Sequence, residues 1–188
     1  MTTQDQLAAY RAGFADSRDR LHRLADPLSD GAFNWKPSAN AWSIGECIVH
    51  LNKVGRAYVP PMLEAVRAAP PGEGPFRYGW LSRTFIEAVR PGSRRIPTGG
   101  PMKPPRTNGT QSDIGRARVF AGLDTMTDGF LQVLDLAAGK DLAAVKIRSP
   151  FLSVMRLPVG AFIEAMSLHS VRHTEQAERV ARAPGFPG

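Results

Sequence analysis

The sequence predicts an all-α fold, a four-helix bundle, and three observations carry that expectation. Four long stretches repeat apolar residues at the three-, four- and seven-residue spacing of one helical face. The boundaries between them are helix caps, glycines and prolines rather than hairpin turns. No stretch alternates apolar and polar residues as a half-buried strand does, which leaves helices joined mostly by loops.

Leu7, Tyr10, Phe14, Leu21 and Leu24 mark the face of the first helix, which ends at Asp26-Pro27 because the residue before a proline is pushed out of helical geometry. A turn-rich connector, residues 28–40, carries Phe33 and Trp35 as plugs for the end of the bundle. The second helix has the clearest start. Ser43 is its N-cap and Glu46, three residues on, completes a capping box, with Trp42 and Cys47 at the two positions of a hydrophobic staple. Ile48, Leu51, Val54 and Tyr58 continue that helix to Pro60-Pro61. Each proline removes a backbone donor, so the pair is expected to kink the helix or to separate off a short one, Met62 to Ala68.

Residues 69–109 form a long Pro/Gly-rich insertion between the second and third helices, interrupted by one short helical candidate, Leu81 to Val89. Ten of the sixteen prolines lie between Pro60 and Pro105. A segment of this length is expected to be a lid over a site or an oligomer contact. The third helix follows from about Asp113 to Ala138, with Phe120, Leu123, Phe130, Leu134 and Ala137 on its buried face. A connector from Gly139 reaches Ser149-Pro150. Pro158 suits a first helical turn, and the last helix runs from there to about Arg182. There is no internal repeat. The 188 residues are expected to form a single domain, 1–188, with 69–109 as an insertion within it.

Composition narrows the function. With 43% hydrophobic and 22% charged residues the chain can build a sizeable core. No run approaches the roughly 18 apolar residues of a membrane span, and the N-terminus lacks the pattern of a secretory signal, so the protein is expected in the cytoplasm. One cysteine, Cys47, excludes an internal disulfide framework and a multi-cysteine zinc site. The formal charge of +7 sits in the stretch from Arg67 to Arg118, which has ten basic and three acidic residues; the remainder has fourteen of each. That is a basic loop, suited to a solvated surface or an anionic substrate, and lacks the basic stripe and reading element of a nucleic-acid binder.

His169 and His173 stand four residues apart on the last helix, on one face and close enough to share a metal ion. Such a pair alone is weak evidence, since a structural or accidental origin is the commoner one. His50, seven residues after the cap of the second helix and on its apolar side with Val54 and Ala57, changes this, since two antiparallel helices can aim imidazoles into one space. His22 lies one position off the apolar stripe of the first helix and is expected at the surface or at the boundary of that stripe.

The segment NWKPSANAWSIGECIVHLNKV and the later HSVRHTEQAERV together resemble the DinB-like superfamily of small four-helix bundle proteins, which includes the YfiT-like hydrolases. Trp42-Ser43, His50, His169, His173 and Gln176 match its pattern of a Trp-Ser helix start, a histidine seven residues later and a late His-x-x-x-His-x-x-Gln. The insertion is longer and richer in proline than in a minimal member. The resemblance implies that His50, His169 and His173 hold one divalent metal ion, zinc or nickel, with Gln176 as a supporting group. Three neutral imidazoles leave a coordination position for water or substrate, as catalytic sites do.

Two functions follow as expectations. The first is a metal-dependent hydrolase or thiol transferase acting on a small electrophilic molecule, the latter with a low-molecular-weight thiol cosubstrate. The second is a non-catalytic metal-binding stress-response module that works as a homodimer. Glu46 is open to two readings, general base or cap. Cys47 is open to two as well, soft fourth ligand or small buried hydrophobe. Glu175 and Glu178 fall toward solvent, beside arginines. No Ser-His-Asp order, Gly-rich phosphate loop or HExxH motif is present.

Overall fold

The computed structural model describes residues 2–72, 75–93, 100–105, 109–152 and 154–188. Residues 73–74, 94–99 and 106–108 of the insertion lie outside the described residues. The chain is mostly helical, in the order α1 (Thr3–Ala25), α2 (Asp30–Asn34), α3 (Ile44–Ala68), α4 (Trp80–Val89), α5 (Arg116–Ala137), β1 (Lys146–Arg148), β2 (Arg156–Pro158) and α6 (Val159–Ala181). The long helices pack α3 on α5 and α6, and α1 on α5 and α6.

In α1 the buried stripe is Gln6, Tyr10, Phe14, Ser17, Leu21 and Ala25, so Leu7 and Leu24 flank the core rather than lead into it. Phe14 stacks on Phe130 of α5 at 4.4 Å between ring centroids. Both rings are almost wholly enclosed, so truncating either to alanine is expected to cost about 3–5 kcal/mol. The connector 28–40 is more ordered than a run of turns. Ser29 accepts from Ala32 N–H and starts α2, which buries Phe33; Trp35 packs edge-on against Phe186.

α3 begins with the expected capping box: Ser43 Oγ accepts from Glu46 N–H at 3.0 Å, and Glu46 accepts from Ser43 N–H at 2.9 Å. It does not break at Pro60-Pro61, and no separate helix starts at Met62. The prolines remove two backbone donors, but Tyr58, Met62 and Val66 on either side of them are buried, and that packing holds the helical path. Against α5 the fit is tight where side chains are missing. A Cβ on Gly55 would fall 1.8 Å from Met126, and one on Gly129 would fall 2.8 Å from Val59. Small residues thus let the two helix backbones approach.

α5 starts three residues later than the periodicity suggests. Asn34 Oδ1 accepts from Ser112 Oγ–H and Ile114 N–H, at 2.7 and 2.8 Å, and Ser112 N–H donates to the Asn34 carbonyl. These bonds hold residues 112–114 extended. The absence of strands is also corrected: β1 and β2 form a small antiparallel pair in which Ile147 faces Leu157. Three-residue strands are too short to show an alternating pattern. The pair has a structural use. α6 has no side-chain cap, and its first two amides donate instead to the carbonyls of Val145 and Leu142, at 2.8 and 3.1 Å. Pro158 is the residue before the helix, one position from its expected place.

Candidate metal centre

His50 lies on the second turn of α3, fixed in rotation by the Ser43–Glu46 cap and by Cys47, Ile48, Leu51 and Val54, all buried around it. Across the α3–α6 interface it meets His169 and His173. One ring nitrogen from each of the three imidazoles lies within 4.8 Å of the others. His50 Nε2 and His169 Nε2 are 3.1 Å apart, and ring centroids are separated by 5.0 Å (His50–His169) and 4.4 Å (both pairs with His173). The sequence pairing of His50 with the late histidines is therefore a spatial one.

Burial holds all three rings neutral. It lowers the pKa of His50, and it lowers those of His169 and His173 much further, with the neighbouring imidazoles and Arg172 adding to the effect. At His173 an interaction with the Gln176 side chain opposes the shift. A neutral imidazole offers a lone pair, the form a metal requires.

The second contacts orient these lone pairs. His50 Nδ1–H donates to the carbonyl of Met102 at 2.8 Å, which leaves Nε2 as the free lone pair facing His169. Trp42 stacks against His173 (5.6 Å, 22° between planes) and tilts over His50 (5.0 Å). His173 Nδ1 is enclosed and has no hydrogen-bond partner. Buried nitrogens are almost always satisfied, so an orphan beside two inward-facing imidazoles fits a site for a cation. The donor set is that of zinc, nickel, iron or copper.

The cluster opens onto a cavity of about 860 Å³, within the size range of small-molecule sites. Gln176, one turn beyond His173, lines it. Cys47 is fully buried, outside the histidine cluster, and its thiol pKa is pushed up by burial: it is a core side chain. Glu46 is 2% exposed, committed to the cap, and 3.8 Å from the buried Lys36. His22 pairs with Asp124 across α1 and α5, where both side chains are partly exposed. Glu175 and Glu178 meet Arg179, Arg20 and Arg182.

Two contributors have no counterpart in the sequence reading. The Met102 carbonyl is a main-chain group, which no residue type signals. Arg172 donates to the carbonyls of Ala88 and Arg90 and to Ser93 Oγ, and so ties the C-terminal end of α4 to α6 beside the cluster. Its place next to His173 was the available hint. The segment between α3 and α5 thus reaches the histidine cluster: α4 supplies one wall of the cavity and Met102 a contact to His50.

A family model described as the DinB superfamily matches residues 14–177. Comparison with curated proteins and with solved structures finds no match.

Proposed function

The chain belongs to the DinB superfamily, and from that premise we propose that it is a metal-dependent enzyme acting on a small electrophilic molecule. In this reading α1, α3, α5 and α6 are the four helices of a single-domain bundle, with residues 69–109 inserted in it. His50, His169 and His173 hold one divalent ion, zinc or nickel, and Gln176 supports the ligands or a bound water. The observation that carries the reading is the convergence of three neutral imidazoles on the wall of a cavity large enough for a substrate.

A divalent ion bound there would lower the pKa of a water to about 7, or that of a thiol, and would polarise an electrophile. The chain's own groups do the positioning. Met102 fixes the tautomer of His50, Trp42 packs the rings in place, and the apolar wall limits water. This arrangement suits hydrolysis, or transfer of a low-molecular-weight thiol. The protein would work in the cytoplasm; no helix among the described residues is long and apolar enough to cross a membrane.

One observation favours a second reading, a non-catalytic metal-binding module that acts as a homodimer. Trp80, Leu81, Leu152 and Val154 are large apolar side chains with 46–95% exposure, enough to seed an interface.

Metal analysis decides the common premise. Wild type, His50→Ala and His169→Ala are purified without chelating resin and reconstituted with zinc or nickel. Stoichiometric metal in wild type alone is the expected result, and an empty wild type after reconstitution rejects the site. A thiol-conjugation and ester-hydrolysis panel on the loaded protein, with its mass in solution, then separates enzyme from module.

A further inference from the structure

The cavity has two unlike ends. Glu46, His50, Val54 and Tyr58 follow one another along α3 at four-residue spacing, so they form one stripe down its wall. α6 runs beside it with opposite polarity. Trp42, just ahead of α3, stacks on His173, while Tyr58, four turns in, meets Phe162 at 5.3 Å between ring centroids. The histidines therefore sit between a polar end, lined by Lys36, Asn40, Glu46 and Gln176, and an apolar end.

The apolar end is an aromatic slot. Tyr58 and Phe151 meet edge to face at 5.8 Å, and Phe85 of α4 packs on Phe162 at 5.4 Å. Met155 and Met166 complete it. Its polar atoms are already engaged: Tyr58 OH bonds Ser149 Oγ at 3.0 Å, and that oxygen also accepts from the amides of Phe151 and Leu152. This half of the cavity offers surface and no hydrogen bonds.

Charge is uneven as well. Among the described lining residues Lys36, Lys103 and Arg172 are basic, and Glu46 is the only acid. Glu46 is enclosed, bonded to the Ser43 amide and close to Lys36, so its charge is answered within the wall. Lys103 follows directly on the Met102 contact to His50 and is exposed at the cavity's lip. A cavity walled by low-dielectric side chains and edged with cations concentrates anions.

We propose that the substrate is an amphipathic small anion, with an apolar body lodged among Tyr58, Phe85 and Phe151 and an acidic group held toward Lys103. This rests on the metal-site reading only for what happens between those two ends; the two ends themselves are properties of the wall.

Binding of straight-chain carboxylates from acetate to octanoate, with octanamide as the uncharged match, tests this by calorimetry on the full chain with and without zinc. Affinity is expected to rise up to about fourfold per added CH₂ while the chain stays in the slot. Octanoate is expected to bind about tenfold or more tighter than octanamide, in both the zinc-loaded and the metal-free protein. Lys103→Gln should weaken octanoate severalfold and leave octanamide unchanged. Phe151→Ala should flatten the length dependence, and Leu152→Ser, at a position 54% exposed, should do so without burdening the fold. No length dependence, equal binding of octanoate and octanamide, or charge selectivity that appears only with zinc each overturns the proposal. A chain that binds no metal yet keeps both dependences sinks the metal site and leaves this inference standing. A chain that loads zinc but shows neither does the reverse.

Discussion

His50 donates from Nδ1 to the main-chain carbonyl of Met102 at 2.8 Å, across 52 residues of chain. α3 and the proline-rich segment after α4 meet at this bond, beside Lys53 Nζ–H, which donates to the Lys103 carbonyl at 2.6 Å, and the Met102 contact fixes which nitrogen of His50 faces the other two histidines. A ligand whose orientation depends on a loop carbonyl is sensitive to the stiffness of that loop. Pro104 is buried and Pro105 follows it, so both restrict the backbone just beyond Met102.

Replacing Pro104 and Pro105 with glycine should therefore weaken metal affinity by about tenfold, the lower end of what losing an outer-shell contact produces. Competition against a fluorescent chelator measures it. The helical content by circular dichroism should not change, since neither residue lies in a helix. Unaltered affinity would mean that the Met102 contact does not set the geometry of His50.

The parts of the site on regular elements were legible in the sequence, and the parts on irregular backbone were not. Ser43 and Glu46 fix the rotation of α3, and the four-residue spacing of His169 and His173 fixes their common face, so periodicity gives each face and the family resemblance joins the two. Met102 acts through a carbonyl that every residue carries. Phe151 and Met155 reach the cavity because a three-residue strand pair folds their loop back onto α3, and strands that short have no periodic signature. The unbroken path of α3 through Pro60-Pro61 was hidden for a different reason: local propensity argued for a break, and the burial of Tyr58, Met62 and Val66 overrides it.

Metal should stabilise the fold, because the three histidines proposed as ligands come from two helices that separate on unfolding. At zinc a hundredfold above its Kd the gain is about 2.7 kcal/mol. For a chain of this length that corresponds to a Tm about 5–10 °C higher. Differential scanning calorimetry should find that rise in wild type and none in His169→Ala. Taken as a whole residue His169 is half-buried where His50 and His173 are buried, so its loss leaves the smallest packing defect and the comparison reads the metal rather than the core.

Glu46 lines the cavity one turn before His50 and is chemically capable of acting as a base, yet both its geometry and its surroundings assign it to structure. Glu46→Gln preserves a side chain able to accept from Ser43 N–H but removes the carboxylate 3.8 Å from Lys36, which is itself only 4% exposed. The expected cost is about 1–3 kcal/mol by chemical denaturation, with metal affinity unchanged. A variant of normal stability whose turnover on an identified substrate collapses would restore Glu46 to the chemistry.

The same burial that readies the histidines for metal makes the metal-free protein acid-sensitive. In the unfolded chain an imidazole takes up a proton near pH 6.5. In the folded chain His50, His169 and His173 stay neutral to lower pH, because enclosure among apolar side chains disfavours their charged form. Between those limits the unfolded state binds more protons than the folded one, so stability rises with pH and is fully present only above about 6.5. Each pH unit below that point should remove up to about 1.4 kcal/mol for every histidine that remains neutral. Urea titrations of the metal-free chain at pH 7.5, 6.5 and 5.5 should show a falling midpoint. The fall should be shallower in His169→Ala, which has one fewer group to hold uncharged. Identical pH slopes in the two chains would mean that His169 accepts its proton in the folded state as readily as in the unfolded one, and that the cluster is open to solvent rather than enclosed.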